Sequence, residues 1–118
     1  GMLTVAKASD AVSVCGAFSP TEMVSALDGG ADIVKFFPAE VGGPAYVKAV
    51  TAPFPDMPIL PTGGVSIDNI KQWLDAGVCA LGVGSAVSKA GAESKPRDYG
   101  QVTVAARQFL KAVENARR

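Results

Sequence analysis

Histidine is absent from the 118 residues, cysteine occurs twice and tryptophan once. Without histidine there is no imidazole to activate a serine, to shuttle a proton near neutral pH or to ligate a metal. Cys15 and Cys79 stand far apart in apolar, strand-like segments and lack metal-ligand spacing. They read as small buried hydrophobes in a reducing cytoplasm, and no metal site is expected. Neither sign of charge is in excess, since eleven Lys and Arg balance eleven Asp and Glu. A nucleic-acid or anionic-membrane partner needs a basic excess, so neither is expected. No apolar run approaches bilayer length. The opening GMLTVAKASDAV lacks the basic start and long apolar core of a signal peptide, which places the chain in the cytoplasm. Gly1 before Met2 reads as a cloning scar, with the natural frame expected to open at Met2 and to be complete.

What is present is a rhythm of short apolar runs and helical patterns. Ala11–Cys15 reads as a strand. Ser19-Pro20-Thr21-Glu22 then opens a helix, with Ser19 as cap, Pro20 at the first helical position and Glu22 completing a capping box. Met23, Val24, Ala26 and Leu27 form its apolar stripe, and Gly29-Gly30 end it. Asp32–Phe37 is a second strand, and Pro44 starts a second helix. Pro53 and Pro55 break the chain before a third strand, Pro58–Pro61. Ser66 is expected to cap the next helix, with Ile67, Ile70, Trp73 and Leu74 inward and Gly77 as its stop. Val78–Val83 is predicted to be a fourth strand. A polar loop from Ser88 to Asp98 leads to a last amphipathic helix from Tyr99 to Ala116, striped by Val102, Ala105, Ala106, Phe109, Leu110 and Val113.

Four strands alternating with four helices predict an α/β fold of one domain, residues 1–118, with a parallel sheet and right-handed crossovers. The strands are continuously apolar, as expected when both faces are covered. A doubly wound sheet satisfies this pattern. So do four βα units of a (β/α)8 barrel, which normally takes about 250 residues, so that only half of one would be present.

Two glycine loops bear on that choice. Pro61-Thr62-Gly63-Gly64-Val65 follows the third strand and Gly82-Val83-Gly84-Ser85 follows the fourth. Glycine lets backbone approach a ligand closely, and successive free N–H groups form an anion-binding nest. Barrel enzymes often place a phosphate at the loops after their last two strands. Taken singly, each loop is equally well read as a tight strand-to-helix turn. Lys35 stands near the carboxyl end of its strand, at the same end as both loops. One reading lets its ammonium reach solvent or pair with Asp32 or Glu40. The other has it desolvated by Ile33, Phe36, Phe37 and Pro38, a candidate nucleophile able to form a Schiff base with a ketone.

Lys35–Glu40 (KFFPAE), followed by a glycine-rich loop, PFP at 53–55, PTGGVS at 61–66 with Asn69, and GVGS at 82–85, closely resembles the 2-keto-3-deoxy-6-phosphogluconate / 4-hydroxy-2-oxoglutarate (KDPG/KHG) aldolases. The motif resemblance runs from about Gly16 to the C-terminus, residues 1–11 matching poorly. It implies the C-terminal half of a TIM (β/α)8 barrel, with parallel strands and outer helices. It implies a class I aldolase that cleaves 2-keto-3-deoxy-6-phosphogluconate to pyruvate and glyceraldehyde 3-phosphate with no cofactor beyond a covalent lysine imine. Lys35 matches the Schiff-base lysine and Phe37 the aromatic of the pyruvate pocket. Gly63, Gly64, Gly84 and Ser85 match phosphate-binding positions, with Thr62 adjacent. Cys15-Gly16 stands where the family usually has proline-glycine. The βα units that carry the family's proton-shuttling glutamate, and an arginine and threonine for the substrate carboxylate, are not matched. The expected partners are therefore a phosphorylated 2-keto acid and further copies of the chain, as a dimer closing a barrel or a trimer as in the family. The alternative is a non-catalytic homologue that binds a phosphorylated metabolite.

Overall fold

A computed structural model describes all 118 residues. Three of the apolar runs pair in parallel, in sequence order: β1 (Val14–Ala17), β2 (Ile33–Phe36) and β3 (Ile59–Pro61). Helix α1 (Met2–Ala8) precedes them, α2 (Pro20–Asp28) joins β1 to β2, and α3 (Ala39–Thr51) joins β2 to β3. A 3₁₀ turn at Ile67–Asn69 leads into α4 (Ile70–Asp75), followed by the short α5 (Ser85–Ser88) and the long α6 (Tyr99–Ala116).

The predicted start of α2 is realised. The Glu22 carboxylate accepts from the Ser19 N–H at 2.7 Å and the Phe18 N–H at 3.0 Å, while the Glu22 N–H donates to Ser19 Oγ. The predicted helix start at Pro44 proves to be the second half of α3. A first turn begins at Ala39, and the helix kinks at Gly43, whose backbone (φ 70°, ψ 179°) is not helical. Ser66 does stand at the N-cap, but its side chain makes no capping bond. Asn69 takes that role, its Oδ1 accepting from the Ser66 N–H at 2.9 Å and its amide donating to the Gly64 carbonyl at 2.8 Å.

The fourth strand expected at Val78–Val83 does not form. The segment lies parallel to β3, with the Cys79 N–H donating to the Ile59 carbonyl at 2.9 Å and the Gly82 N–H to the Pro61 carbonyl at 2.8 Å. Only one isolated bridge, Thr62 to Gly82, is counted between them. A parallel ladder needs each such bond to be returned. The return bond to Cys79 would have to come from the N–H of residue 61, and proline has none.

The sheet is covered on one face, not two. Val34, Phe36 and Ile59 are fully buried and pack with Met23 of α2, Val47 of α3 and Trp73 of α4. Ile33, Lys35 and Leu60, at the alternating positions, are only half-buried. The register sets Gly16, Lys35 and Leu60 side by side in one row. Residues sharing a row of a parallel sheet project to the same side, so Lys35 belongs to the open face.

Behind that face, Phe36 stacks on Tyr46 with ring centroids 5.3 Å apart, and Phe18 stands 5.3 Å from Phe36 and 5.5 Å from Tyr46. The Tyr46 hydroxyl donates to the Phe18 carbonyl at 3.0 Å. A Cβ on Gly42 would stand 2.7 Å from Phe36 Cζ, so helix and ring are in full contact. Phe36→Ala is expected to cost about 3–5 kcal/mol by cavity formation in urea unfolding. A loss below about 1 kcal/mol would show that this cluster does not anchor β2.

Ser13 and Asp32 clamp the amino ends of β1 and β2. The Asp32 carboxylate accepts from the Ser13 N–H at 2.7 Å and its hydroxyl at 2.8 Å, and the Asp32 N–H donates to Ser13 Oγ at 3.1 Å. The backbone bond from Ser13, then its hydroxyl, hold the Asp32 carboxyl below the usual aspartate range. A depressed folded-state value adds stability above the unfolded value, near pH 4, and loses it as pH falls through the folded one. Asp32→Asn should therefore lower the urea midpoint at neutral pH and flatten its decline in acid. Superimposable acid limbs for the two proteins would contradict this.

Candidate active site

The carboxyl ends of β2 and β3, and the segment beside β3, surround one pocket of about 460 Å³. Phe37, Thr62, Gly63, Gly64, Gly84 and Ser85 all line it. Val65 and Gly82, which belong to the two glycine loops, and Ser66 and Ala86 complete the wall; none of the four was assigned a binding role from sequence. Gly82 had a readable signal, since it opens the same GVGS motif as Gly84.

Gly63 (φ 100°) and Gly64 (φ 69°) occupy the left-handed region, which side chains rarely tolerate. They also lie against α3, since a Cβ on Gly63 would stand 3.0 Å from Glu40 Oε2 and one on Gly64 2.7 Å from Glu40 Cβ. These two glycines are thus required by the turn itself. Gly84 is different, because its φ is negative and a Cβ there would meet nothing within 4 Å. The space in front of Gly84 is the pocket. The N–H groups of Gly64, Val65, Gly84 and Ser85, on both walls, donate to no protein acceptor. Thr62 Oγ1, packed against Gly82, is buried and also has no partner. Unpaired donors on the walls of one pocket suit an anion with several oxygens.

Lys35 is not part of the pocket wall. Its Nζ lies 5.0 Å from the ring centroid of Phe37, and Phe37, itself exposed, stands between the amine and the glycine loops. Opposite Lys35 in the register is Gly16, where a Cβ would meet nothing within 4 Å, so the space beside the amine is open. Phe36 does not desolvate Lys35 as expected, because successive strand residues point to opposite faces. Lys35 also pairs with neither Asp32 nor Glu40. Asp32 is engaged by Ser13, Glu40 packs along the Gly63-Gly64 backbone, and the one ion pair in the structure is Lys71 with Asp75. Glu22 is likewise committed, its carboxyl held below the usual range first by the Ser19 backbone N–H, then by that of Phe18. No three His, Cys, Asp or Glu side chains converge as a metal-ligand group.

Parallel βα units with a lysine on the open face and glycine loops at the strand carboxyl ends make up one half of a (β/α)8 barrel. The chain matches the family model "Aldolase: KDPG and KHG aldolase" over residues 1–105. It belongs to the KDPG/KHG aldolase family, and the match takes in α1. It is 37% identical over 105 residues to the 2-dehydro-3-deoxy-6-phosphogalactonate aldolase of Escherichia coli K12, covering 87% of this chain and 51% of that protein. It is 43% identical over 74 residues to the 2-dehydro-3-deoxy-phosphogluconate aldolase of Pseudomonas aeruginosa PAO1, covering 62% of this chain and 34% of that protein. A solved "Native KDPGal structure" superimposes with a TM-score of 0.76 at 33% identity, over 95% of this chain and 54% of its own. The chain spans about half the length of these relatives, and its architecture is half of their TIM barrel. No helix is long and apolar enough to cross a membrane.

Proposed function

We propose that this site cleaves a phosphorylated 2-keto-3-deoxy sugar acid by class I aldolase chemistry, with 2-keto-3-deoxy-6-phosphogluconate as the substrate that the motifs favour and no cofactor. The observation that carries the reading is the placement of Lys35. Its amine is on the open sheet face, one residue from the strand end, against the same Phe37 ring that lines the donor-rich pocket. In this reading the Lys35 amine adds to the C2 ketone and expels water, giving an imine. The C4 hydroxyl then loses its proton, the C3–C4 bond breaks, and its electron pair moves into the imine as an enamine. Protonation at C3 and hydrolysis release pyruvate and return the free amine. The phosphate of the departing aldehyde would be held by the N–H groups of Gly64, Gly84 and Ser85. The names of the relatives, a phosphogalactonate and a phosphogluconate aldolase, agree with this substrate class.

A second reading, imine formation with little turnover, is favoured by the commitments of Glu22 and Asp32 elsewhere in the fold. A positioned acid–base is worth typically about 10²–10⁴-fold, and within these residues only Glu40 is near the pocket. Incubation with pyruvate and borohydride, followed by peptide mass spectrometry, tests both readings. A reduced adduct on Lys35 is the expected result. No adduct on folded protein would sink the imine, whereas an adduct without pyruvate release from the sugar acid would select the second reading.

A further inference from the structure

The pocket at the strand carboxyl ends is walled without a charged side chain, since none of the ten residues that line it carries one. A charge nevertheless stands directly behind the wall. The carboxylates of Glu22 and Asp32 are engaged by backbone and hydroxyl donors, whereas that of Glu40 is exposed and forms no ion pair. Its Oε2 would stand 3.0 Å from a Cβ on Gly63 and 3.3 Å from one on Gly64, the two wall residues in the left-handed region. Backbone bonds hold this contact in place. The Ala39 N–H donates to the Thr62 carbonyl at 2.9 Å, and the Thr62 N–H to the Phe36 carbonyl at 2.9 Å. The first turn of α3, set off from the rest of the helix at Gly43, is thus tied to the glycine loop. Glu40 Cα would lie 3.3 Å from a Cβ on Gly64, so the side chain is rooted at the loop.

Given the proposed reading of this pocket as an anion site, we infer that Glu40 sets its affinity from behind. The negative charge of Glu40 opposes the bound phosphate across the Gly63–Gly64 backbone and eases release of the phosphorylated aldehyde. The free N–H groups attract an anion as fixed partial charges, and no cationic side chain on the wall adds to them. At a protein surface the effective dielectric lies between that of water and that of the interior. Like charges on the two sides of one loop there still repel enough to change a binding constant several-fold. Packing does not account for the choice of a glutamate. The Cα and Cβ that meet Gly64 are common to every residue except glycine, and glutamine would fill the same space without the charge. Holding phosphate equally tightly before, during and after bond cleavage does nothing for turnover. A charge that weakens this hold therefore leaves the chemical step untouched and shortens the stay of the product.

Calorimetric titration of the intact chain with inorganic phosphate reads this role without any activity measurement. Glu40→Gln removes the charge and keeps the shape, while Glu40→Ala keeps only the atoms that meet Gly64. Glu40→Gln is expected to bind phosphate roughly three- to tenfold more tightly than the wild type at about 20 mM salt, and Glu40→Ala to do the same. The gain should shrink towards unity at about 500 mM salt, where screening reaches within a few ångströms. A mere loosening of the loop would not follow salt in this way. Wild-type binding that Glu40→Gln does not tighten would overturn the role of Glu40 and leave the anion site standing. A gain of the same size at both salt concentrations would overturn it too. Phosphate bound by none of the three proteins, each with native circular dichroism, would overturn the anion site itself and the role of Glu40 with it.

Discussion

Lys35→Ala is expected to abolish the borohydride-trapped adduct and to reduce any pyruvate release by up to about 10⁶-fold, the scale on which a covalent nucleophile is missed. The same substitution should leave unfolding stability within about 0.5 kcal/mol. The two halves of that expectation come from the same geometry. Lys35 is half-buried on the uncovered face and forms no ion pair, so the fold loses little with it. Its neighbours in sequence, Val34 and Phe36, carry the burial of β2 on the other side. Lys35→Arg separates charge from chemistry. A guanidinium keeps the positive charge and its place over the Phe37 ring, but it does not form an imine. Adduct mass that persists in Lys35→Ala, on another lysine peptide and at wild-type yield, would show that trapping reports mere exposure of amines.

Gly82→Ala should be costly to the fold, while Gly84→Ala, two residues on, should be close to neutral for stability. A Cβ on Gly82 collides with the Thr62 hydroxyl, with Leu60 Cδ2 at 2.9 Å and with the Pro61 carbonyl oxygen at 3.1 Å. Two of these obstacles belong to the row and strand end that shape the pocket, so the added methyl cannot be accommodated by rotating one flexible chain end. Overpacking of this kind costs about 1–3 kcal/mol. It should also weaken binding of inorganic phosphate, because relief requires Thr62 and the loop after it to move. At Gly84 the methyl enters open space at a negative φ, and a surface change there stays within about 0.5 kcal/mol. Its effect should instead fall on phosphate binding, which titration calorimetry reads. Equal stability losses at the two positions would refute this division between a packing glycine and a ligand-facing one.

Where local chemistry alone decides, the sequence was legible. The Ser19–Glu22 capping box, the proline at the first position of α2 and the apolar stripe of α6 each act within a few residues, and each appears where it was expected. Phe37, Thr62, Gly63, Gly64, Gly84 and Ser85 meet at one pocket because the carboxyl ends of neighbouring parallel segments lie side by side, which the order of the apolar runs foretells. What escaped depends on partners distant in sequence. An apolar run such as Val78–Val83 has strand character, but pairing needs a donor on the neighbour, and that neighbour is Pro61. Apolar continuity along β2 suggested two covered faces, yet nothing in these residues covers the side that carries Ile33 and Lys35. The kink at Gly43 was concealed because Ala39–Gly42 lacks a marked helix start.

Pro61 has one more consequence. Phe37 and the Thr62–Ser66 stretch hang from a three-stranded sheet and a buried aromatic stack, whereas Gly82, Gly84 and Ser85 hang from a segment fastened to β3 by two backbone bonds. With fewer backbone bonds behind them, the amides of the Gly84 side are expected to exchange with solvent ahead of those of β2 and β3. A missing amide proton on one proline thus leaves the two sides of the pocket unequally fastened.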